Sequence, residues 1–566
     1  MYRRYLIIIL LVLFGGYALF GQHNEEVTIE GAYRPQVNKV NKMLMKPVLP
    51  EPSFTMPSTE VHPMEIDHHF AIDLEKITPL ALNTKDGLGQ EQVTENFLMA
   101  GIGTRLSPVF FYKHHSKLTK DLALGVGVNH YSSWLNLKDY GPSGFMNNAF
   151  DISLATSRYK NIQLGGNVYY KNDMVHFYGF HPNTTDVSSL SDATRQTYNT
   201  IGMHVGAASA TTRLGEFSHS GDLDYHYLFD RYDGREHYVG LNYELGYSES
   251  WWGNKSHPQK AGVSLSFEYA RFQGYLVESQ HLYDHLNRML FQVNPYFEMK
   301  DEFYRLRLGF LADVVNTRPM FGIYPDLKGS LFVLNKKVEF YAGLNGGKKL
   351  VTYSQLVEEN PFLGREVTEI APPTVKLGFE GGVRTNIMET VDVHLGVRYR
   401  NTKDDLFFVP ATGFSSVDPL VGLHTFGTVT SDTRLVSLLA NVRWLALDRL
   451  SVDAGFAYNQ YRMSNLAHPL YRPAMEGDLK LRYDFNENLS LNASLLYLGG
   501  RYGGLTGAQA QKLKDVFDLG LGADYKLHDQ LAVFVKIDNL AHQKYQVFYD
   551  YPVTGIQLFA GVKMRF

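Results

Sequence analysis

Few residues in this chain have types and spacings suited to chemistry. His62, Asp67, His68 and His69, and separately His114 and His115, offer imidazole and carboxylate ligands. Adjacent residues on a strand point to opposite faces, however, so neighbouring histidines cannot easily share one ion. No metal or other cofactor is expected. Gly499-Gly500-Arg501-Tyr502-Gly503-Gly504 is glycine-rich enough to wrap a phosphate, but no Lys-Ser pair or helix follows it, and it reads as loop flexibility. Trp251 and Trp252 beside Tyr247 read as part of a membrane-interface girdle rather than a ligand platform. No nucleophile stands with a base and an orienting acid at a recognisable spacing, so catalysis is not expected. The absence of cysteine excludes thiolate metal sites, disulfides and a lipoprotein anchor.

The elements that would position such residues are strands. Arg3 and Arg4, the apolar run from Tyr5 to Phe14 and small residues at Gly15, Gly16, Ala18 and Gly21 read as a secretory signal peptide over 1–21, cut near Gly21 or Gln22. Beyond it, 37 Tyr, 35 Phe and 50 Gly against 22 Pro suit a sheet with aromatic girdles. The alternation has period two. Val239, Leu241, Tyr243, Leu245 and Tyr247 oppose Gly240, Asn242, Glu244 and Gly246, and Val391, Val393, Leu395 and Val397 oppose Asp392, His394 and Arg398. The last strand does the same, with Ile556, Leu558, Ala560, Val562, Met564 and the terminal Phe566 alternating with Gln557, Phe559, Gly561, Lys563 and Arg565. Such segments are about the 9 to 11 residues needed to cross lipid.

Counting them gives an all-β chain. It reads as a transmembrane antiparallel β-barrel of about 22 strands over residues 93–566, preceded by a Pro-rich extended arm over 22–92. Gly561, Val562, Met564 and Phe566 carry the barrel-closing signal. Charges are very costly against acyl chains, so Lys376, Glu380, Arg384, Asp392, Arg398, Lys480 and Arg482 must line the lumen. With the C-terminus in the periplasm, tight turns at Asn386, 486–488 and 528–530 fall on that side. The long connections 173–198, 347–373, 402–432, 462–475 and 500–514 fall outside. Parity also requires two strands at 94–104 and 108–118 joined by an outer turn at 105–107. The outer membrane of a Gram-negative bacterium is the implied compartment. A net charge of -4 with mixed inward charges does not indicate a nucleic-acid partner.

The run Asp538-Asn539-Leu540-Ala541-His542-Gln543-Lys544-Tyr545, then Tyr551-Pro552, Gly555 and Gly561 to Phe566, resembles the end of TonB-dependent receptors, and Met99-Ala100-Gly101-Ile102-Gly103-Thr104 resembles their barrel opening. The resemblance covers roughly 94–566 and implies a 22-stranded barrel. The chain departs from the family before residue 93. Those receptors carry a plug domain of well over a hundred residues, whereas the arm, with Pro35, Pro47, Pro50, Pro52, Pro57, Pro63 and Pro79, does not read as a domain. Asn129-His130-Tyr131-Ser132-Ser133 and His176-Phe177-Tyr178-Gly179-Phe180 are similar to a plugless branch of these barrels. Glu26 to Pro35 is similar to the TonB box, a peptide that adds to a sheet edge of TonB. Val27, Thr28, Ile29, Glu30 and Gly31 form its candidate partner strand.

An empty barrel of this size would be a wide hole. The arm, the outer loops or another protein must therefore fill or cap it. The expected partners are outer-membrane lipid, the barrel assembly machinery during biogenesis, TonB through the box-like segment, and lipoprotein or other protein partners closing the lumen. Two functions follow: transport across the outer membrane, or a structural barrel subunit of a multiprotein outer-membrane machine for protein assembly or export.

Overall fold

The computed structural model of the chain describes residues 96–566, apart from 160, 183–186, 210–213, 253–257, 279–280, 318, 365, 368–371, 388–389, 412–424, 448 and 505–509. The signal peptide, the arm and its TonB-box-like segment Val27 to Gly31, and His62, Asp67, His68 and His69, lie outside the described residues.

Twenty-two strands close into one antiparallel barrel. They are β1 (Asn96–Gly103), β2 (Ser107–Thr119), β3 (Leu122–Ser133), β4 (Phe145–Tyr159), β5 (Ile162–His176), β6 (Arg195–Ser209), β7 (Phe217–Asp230), β8 (Arg235–Glu249), β9 (Gln259–Glu278), β10 (His281–Lys300) and β11 (Tyr304–Val315) in the first half. The second half is β12 (Phe321–Val333), β13 (Val338–Lys348), β14 (Thr374–Ile387), β15 (Val391–Pro410), β16 (Phe426–Leu447), β17 (Leu450–Met463), β18 (Met475–Asp484), β19 (Leu489–Gly499), β20 (Val516–His528), β21 (Leu531–Asp538) and β22 (Gln557–Arg565). Each strand pairs with its sequence neighbours, and β22 pairs with β1 to close the ring. The strand number, the outer turn at 105–107 and the antiparallel order agree with the alternation read from the sequence. Arg105 and Leu106 make that turn with positive φ.

At the seam, Gly561 faces Gly101 and Met564 faces Leu98. A Cβ at Gly561 would collide with the Ala100 carbonyl, so glycine is required for this close approach. The Asn96 backbone N–H donates to the Phe566 carbonyl at 2.8 Å and its Nδ2 to the same oxygen at 3.1 Å, which ties the last residue to the first strand.

Leu558, Val562 and Met564 on β22, Leu395 and Val397 on β15, Phe150, Ile152 and Leu154 on β4, and Ile201, Met203 and Val205 on β6 are all exposed. Their sequence neighbours face the interior. This belt is the lipid-facing surface of an outer-membrane barrel. A polar ladder runs around it on the same outward face. His130 Nδ1 lies 2.7 Å from Asn148 Oδ1, Asn148 donates to Asn172 at 3.2 Å, and Asn172 and Tyr170 both donate to Asn199 at 2.8 and 2.9 Å. A line of mutually satisfied amides suits the edge of the belt, where acyl chains give way to headgroups.

Connections are short at one end of the barrel and long at the other, where 177–194, 349–373, 411–425, 500–515 and 539–556 lie. Short turns face the periplasm in such barrels. One difference from the sequence reading lies in β9, β10, β15 and β16. They run well past the lipid belt, so much of the stretch read as a connection at 402–432 is strand. Leu406, Phe407, Phe408 and Phe426 in these extensions are all buried. With both faces covered, the period-two signal that marks a half-buried strand is lost.

Candidate functional site: a loop cap over a lumenal cavity

Most of the long connections are not solvated loops where they are described. The described parts of 177–194, 349–373, 464–474, 500–515 and 539–556 fold inward and share an apolar core of 25 buried residues with the outer ends of the strands. The connection from β13 to β14 supplies the beam of this cap. Thr352 and Gln355 form a capping box that starts the helix Tyr353–Glu359. Glu236 on β8 accepts from the backbone N–H groups of Tyr353 and Ser354, the latter at 2.9 Å, so a wall carboxylate satisfies the orphan donors at the helix start. Tyr353 Oη donates to Asp230 on β7 at 2.7 Å, and Tyr198 Oη on β6 to the Pro361 carbonyl at 3.0 Å. Past the helix, Gly364 N–H donates to the Phe426 carbonyl on β16 at 2.7 Å, and Phe426 N–H to the Phe362 carbonyl at 3.0 Å. Residues 352–364 are thus anchored to β6–β8 at one end and β16 at the other. Those strands lie eight to ten places apart in a ring of 22, so the beam runs nearly across the mouth.

The connection from β21 to β22 packs onto the beam. Gln546–Phe548 pairs with Tyr551–Pro552 in a small hairpin whose turn residue Asp550 has positive φ. Tyr551 stacks on Phe362 with centroids 3.8 Å apart, and Tyr178 from the β5–β6 connection lies edge-on to both rings. Phe548 packs on Phe408, Phe426 and Tyr471. Arg501 from the β19–β20 connection donates to the carbonyls of Gln546 at 2.9 Å and Val547 at 3.4 Å, and burial pushes its guanidinium down to about 10. Arg472 makes a two-pronged ion pair with Asp405 at 2.7 and 3.1 Å, which fastens the β17–β18 connection to β15. Burial holds the hydroxyls of Tyr178, Tyr353, Tyr471, Tyr545 and Tyr551 above the usual tyrosine range.

Beneath the cap lies a cavity of about 610 Å³ between the beam and the inner wall of β3–β8. Tyr169, Tyr178, Tyr198 and Tyr238 line it with Asn129, Asn147 and Gln355. Lys171 reaches from the wall to Glu358 on the helix at 3.5 Å, and Asn147 donates to Asp173 at 2.7 Å.

Of the charges assigned to the lumen from the sequence, Lys376 is exposed at a register shift in β14 and reaches Asp432, whose neighbours Ser431 and Thr433 are buried, so it stands on the outward face; the others have the following partners. Glu380 is buried and pairs with Arg398 across β14 and β15 at 3.2 Å. Arg384 pairs with Glu339 at 3.1 Å over the Tyr341 ring. Lys376 is 3.6 Å from Asp432, Arg482 is 3.1 Å from Asp484, Asp392 accepts from Asn386 at 2.6 Å, and Lys480 sits opposite Asp453. Further pairs go unmarked in the sequence: Lys348 with Asp313 at 2.5 Å, both fully buried, and Lys536 with Asp538 at 2.8 Å. His114 and His115 sit on opposite faces of β2, and His114 is bonded to Asn96 and Ser116 at 2.8 and 2.9 Å. His204, Asp222 and Asp224 approach one another within 4.8 Å. Their partners are already present, since His204 pairs with Asp224 at 2.7 Å and Asn242 donates to Asp222 at 2.9 Å. Trp251 and Trp252 gather around Phe297 at the β8–β9 turn.

Sequence reasoning named the outer loops as one of three ways to close the barrel but did not identify the residues of the cap. Its one local sign is the segment Tyr545 to Val553, where Val547, Phe548, Tyr549, Tyr551 and Val553 are too apolar for a solvated loop.

No family model matches the chain, and no curated protein is similar to it in sequence. Solved structures are similar in fold. The ferric-catecholate import receptor Fiu from K12 E. coli, in its closed form, matches with a TM-score of 0.62 at 10% identity over 84% of this chain and 82% of that one. The siderophore receptor PirA from Acinetobacter baumannii matches at 0.62 and 13% identity over 83% and 80%. FpvAI, in its complex with pyocin S2, matches at 0.60 and 11% identity over 84% and 73%. The first two are described as receptors. The chain has the closed 22-stranded outer-membrane barrel fold of the TonB-dependent receptors.

Proposed function

We propose that this chain acts in transport across the outer membrane, as a barrel whose outer gate is the loop cap. The observation that carries the reading is the beam of residues 352–364, bonded to nearly opposite walls and covered by the 546–552 hairpin. It supports a closure at the outer mouth, with cargo and partners engaging from the periplasmic side. The charge-paired wall supports a lumen that passes or holds a polypeptide or neutral cargo rather than one tuned to a single ionic sign. In this reading Val27 to Gly31 pair with TonB as an added strand. The test is conductance of the purified barrel in planar bilayers, with growth on single nutrients before and after deletion of 27–31. A growth defect for one nutrient class supports transport. Normal growth on all nutrients, with a barrel that stays closed, counts against it.

A second reading is favoured by the size of the cap core. Twenty-five buried residues make a fixed lid rather than a mobile gate, as a structural subunit of an outer-membrane machine would need. It expects stoichiometric lipoproteins, or a second barrel, to co-purify in mild detergent. Recovery of the barrel alone would remove it.

A further inference from the structure

We propose that the lumenal cavity beneath the cap binds the chain's own N-terminal arm, through the segment Pro47-Val48-Leu49-Pro50-Glu51-Pro52. This holds whether the barrel transports cargo or serves as a scaffold.

Position and length suit the arm to this cavity. The described chain begins at Asn96, at the periplasmic end of β1, so whatever precedes it is tethered at the mouth opposite the cap. On β5 the inward residues run from Gln163 near the periplasmic turn to Lys171 and Asp173 in the cavity. That is about ten residues of strand at roughly 3.3 Å each, or roughly 25 Å of height once strand tilt is allowed for. A polyproline segment advances about 3.1 Å per residue, so some ten residues climb the lumen. Between Pro52 and Asn96 there are 43 residues, which spans the distance several times over.

The lining of the cavity suits it as well. Polyproline segments are recognised by grooves of aromatic rings with a few polar donors, because prolyl rings pack on aromatic faces and the backbone carbonyls have no internal partner. The cavity presents that lining in Tyr169, Tyr178, Tyr198 and Tyr238 with Asn129 and Gln355. The arm carries Pro47-x-x-Pro50 and a further proline at 52, flanked by Lys46 and containing Glu51. Asp173 on the wall and Glu358 on the beam helix stand to meet Lys46, and Lys171 on the wall to meet Glu51. A volume of about 610 Å³ holds a few residues, not the whole arm, so one short segment is the occupant.

The chain has no cysteine, so introduced pairs report without background. Ala149, Lys171 and Thr200 form one inward row across β4, β5 and β6. Two full-length variants, A149C with L49C and T200C with L49C, are oxidised in intact outer membranes; two wall positions guard against one failing to fold. The expected result is an intramolecular disulfide in most folded barrels for at least one pair. The crosslink should fall at least tenfold when Pro47, Pro50 and Pro52 are changed to alanine, and be absent when the arm cysteine is moved to T84C. A folded barrel with no crosslink from either pair overturns the proposal. So does a crosslink from the wall cysteine alone to another polypeptide, since the cavity then belongs to a partner. A crosslink that survives loss of the three prolines removes the polyproline argument and overturns it as stated.

Discussion

Phe362 is the residue on which closure of the outer mouth most directly depends. It is 2% exposed, stacks on Tyr551 at 3.8 Å, and meets Tyr178 and Phe548 edge-on. Its carbonyl also carries the bond from Phe426, which a side-chain change leaves in place. Phe362→Ala therefore removes the join between beam and hairpin without cutting the beam. Truncating a buried Phe costs about 3–5 kcal/mol. At about 1.4 kcal/mol per power of ten, a cap that opens at a cost of about 5 kcal/mol is open roughly once in several thousand, and after a loss of about 4 kcal/mol it is open about a sixth of the time. The lumen behind it is large, since strands about 4.8 Å apart and tilted about 40° in a ring of this size enclose roughly 40 Å between backbones. Single-channel recording should show rare, brief openings in the parent and frequent large ones in F362A. Cells carrying the variant should become sensitive to a bulky glycopeptide antibiotic. Phe303→Ala, at an exposed position on the periplasmic turn after β10, is the matched control and should change nothing. An F362A barrel that is folded, heat-modifiable and as closed as the parent would refute the assignment of closure to the cap.

Three other outcomes are expected. Arg472→Ala strands Asp405, whose side chain is 11% exposed, and should cost about 3–5 kcal/mol, read as cleavage of the outer connections by protease added to whole cells while the barrel keeps its folded mobility. Gly561→Leu drives a side chain into the Ala100 carbonyl at the β1–β22 seam and should abolish the heat-modifiable folded band, whereas Val562→Ala, on the lipid face beside it, should keep that band. Alkali should open the cap. The five buried tyrosines have folded pKa values raised above the 10.0 of the unfolded group, so their contribution is intact below pH 10 and is lost as pH rises through the window above it. Each contributes about 1.4 kcal/mol per pH unit there, so five exposed together give about 7 kcal/mol per unit. Tyrosinate absorbance and conductance should rise together and steeply above pH 10. A shallow titration centred on 10 with unchanged conductance would contradict it.

The wall of this barrel was legible because lipid imposes a rule on every other residue. Leu395 and Val397 face out and His394 and Arg398 face in, so period, face and strand number could be read without any tertiary information. Charges could be assigned to the inner face by the same rule, though not their partners, and the rule fails at Lys376, where a register shift turns the side chain outward. Arg384 meets Glu339 from the neighbouring strand, and only the register shows it. The cap obeys no such rule. Phe362, Tyr551, Tyr178 and Tyr471 come from four connections, and their burial depends on contacts between residues up to several hundred positions apart. The many Tyr and Phe were read as interface girdles, and a share of them are core residues of the cap instead.

That division bears on what the barrel does. Lipid-facing and seam residues are dictated by the membrane and would be similar in any barrel of this size, which is why likeness in fold at 10–13% identity says little about cargo. The capping residues are under no such demand. Glu236 would cost less to solvate than to bury, yet it is 1% exposed and bonds the start of a helix that only this cap needs. Asp405 and Arg472 likewise carry a desolvation cost that an apolar pair of similar volume would avoid. Burying such groups at the mouth is explained if the closed arrangement must be one defined structure rather than a loose collapse of loops. A defined underside is in turn what a short peptide segment needs as a binding surface, so the outer closure and the cavity beneath it are two faces of one element.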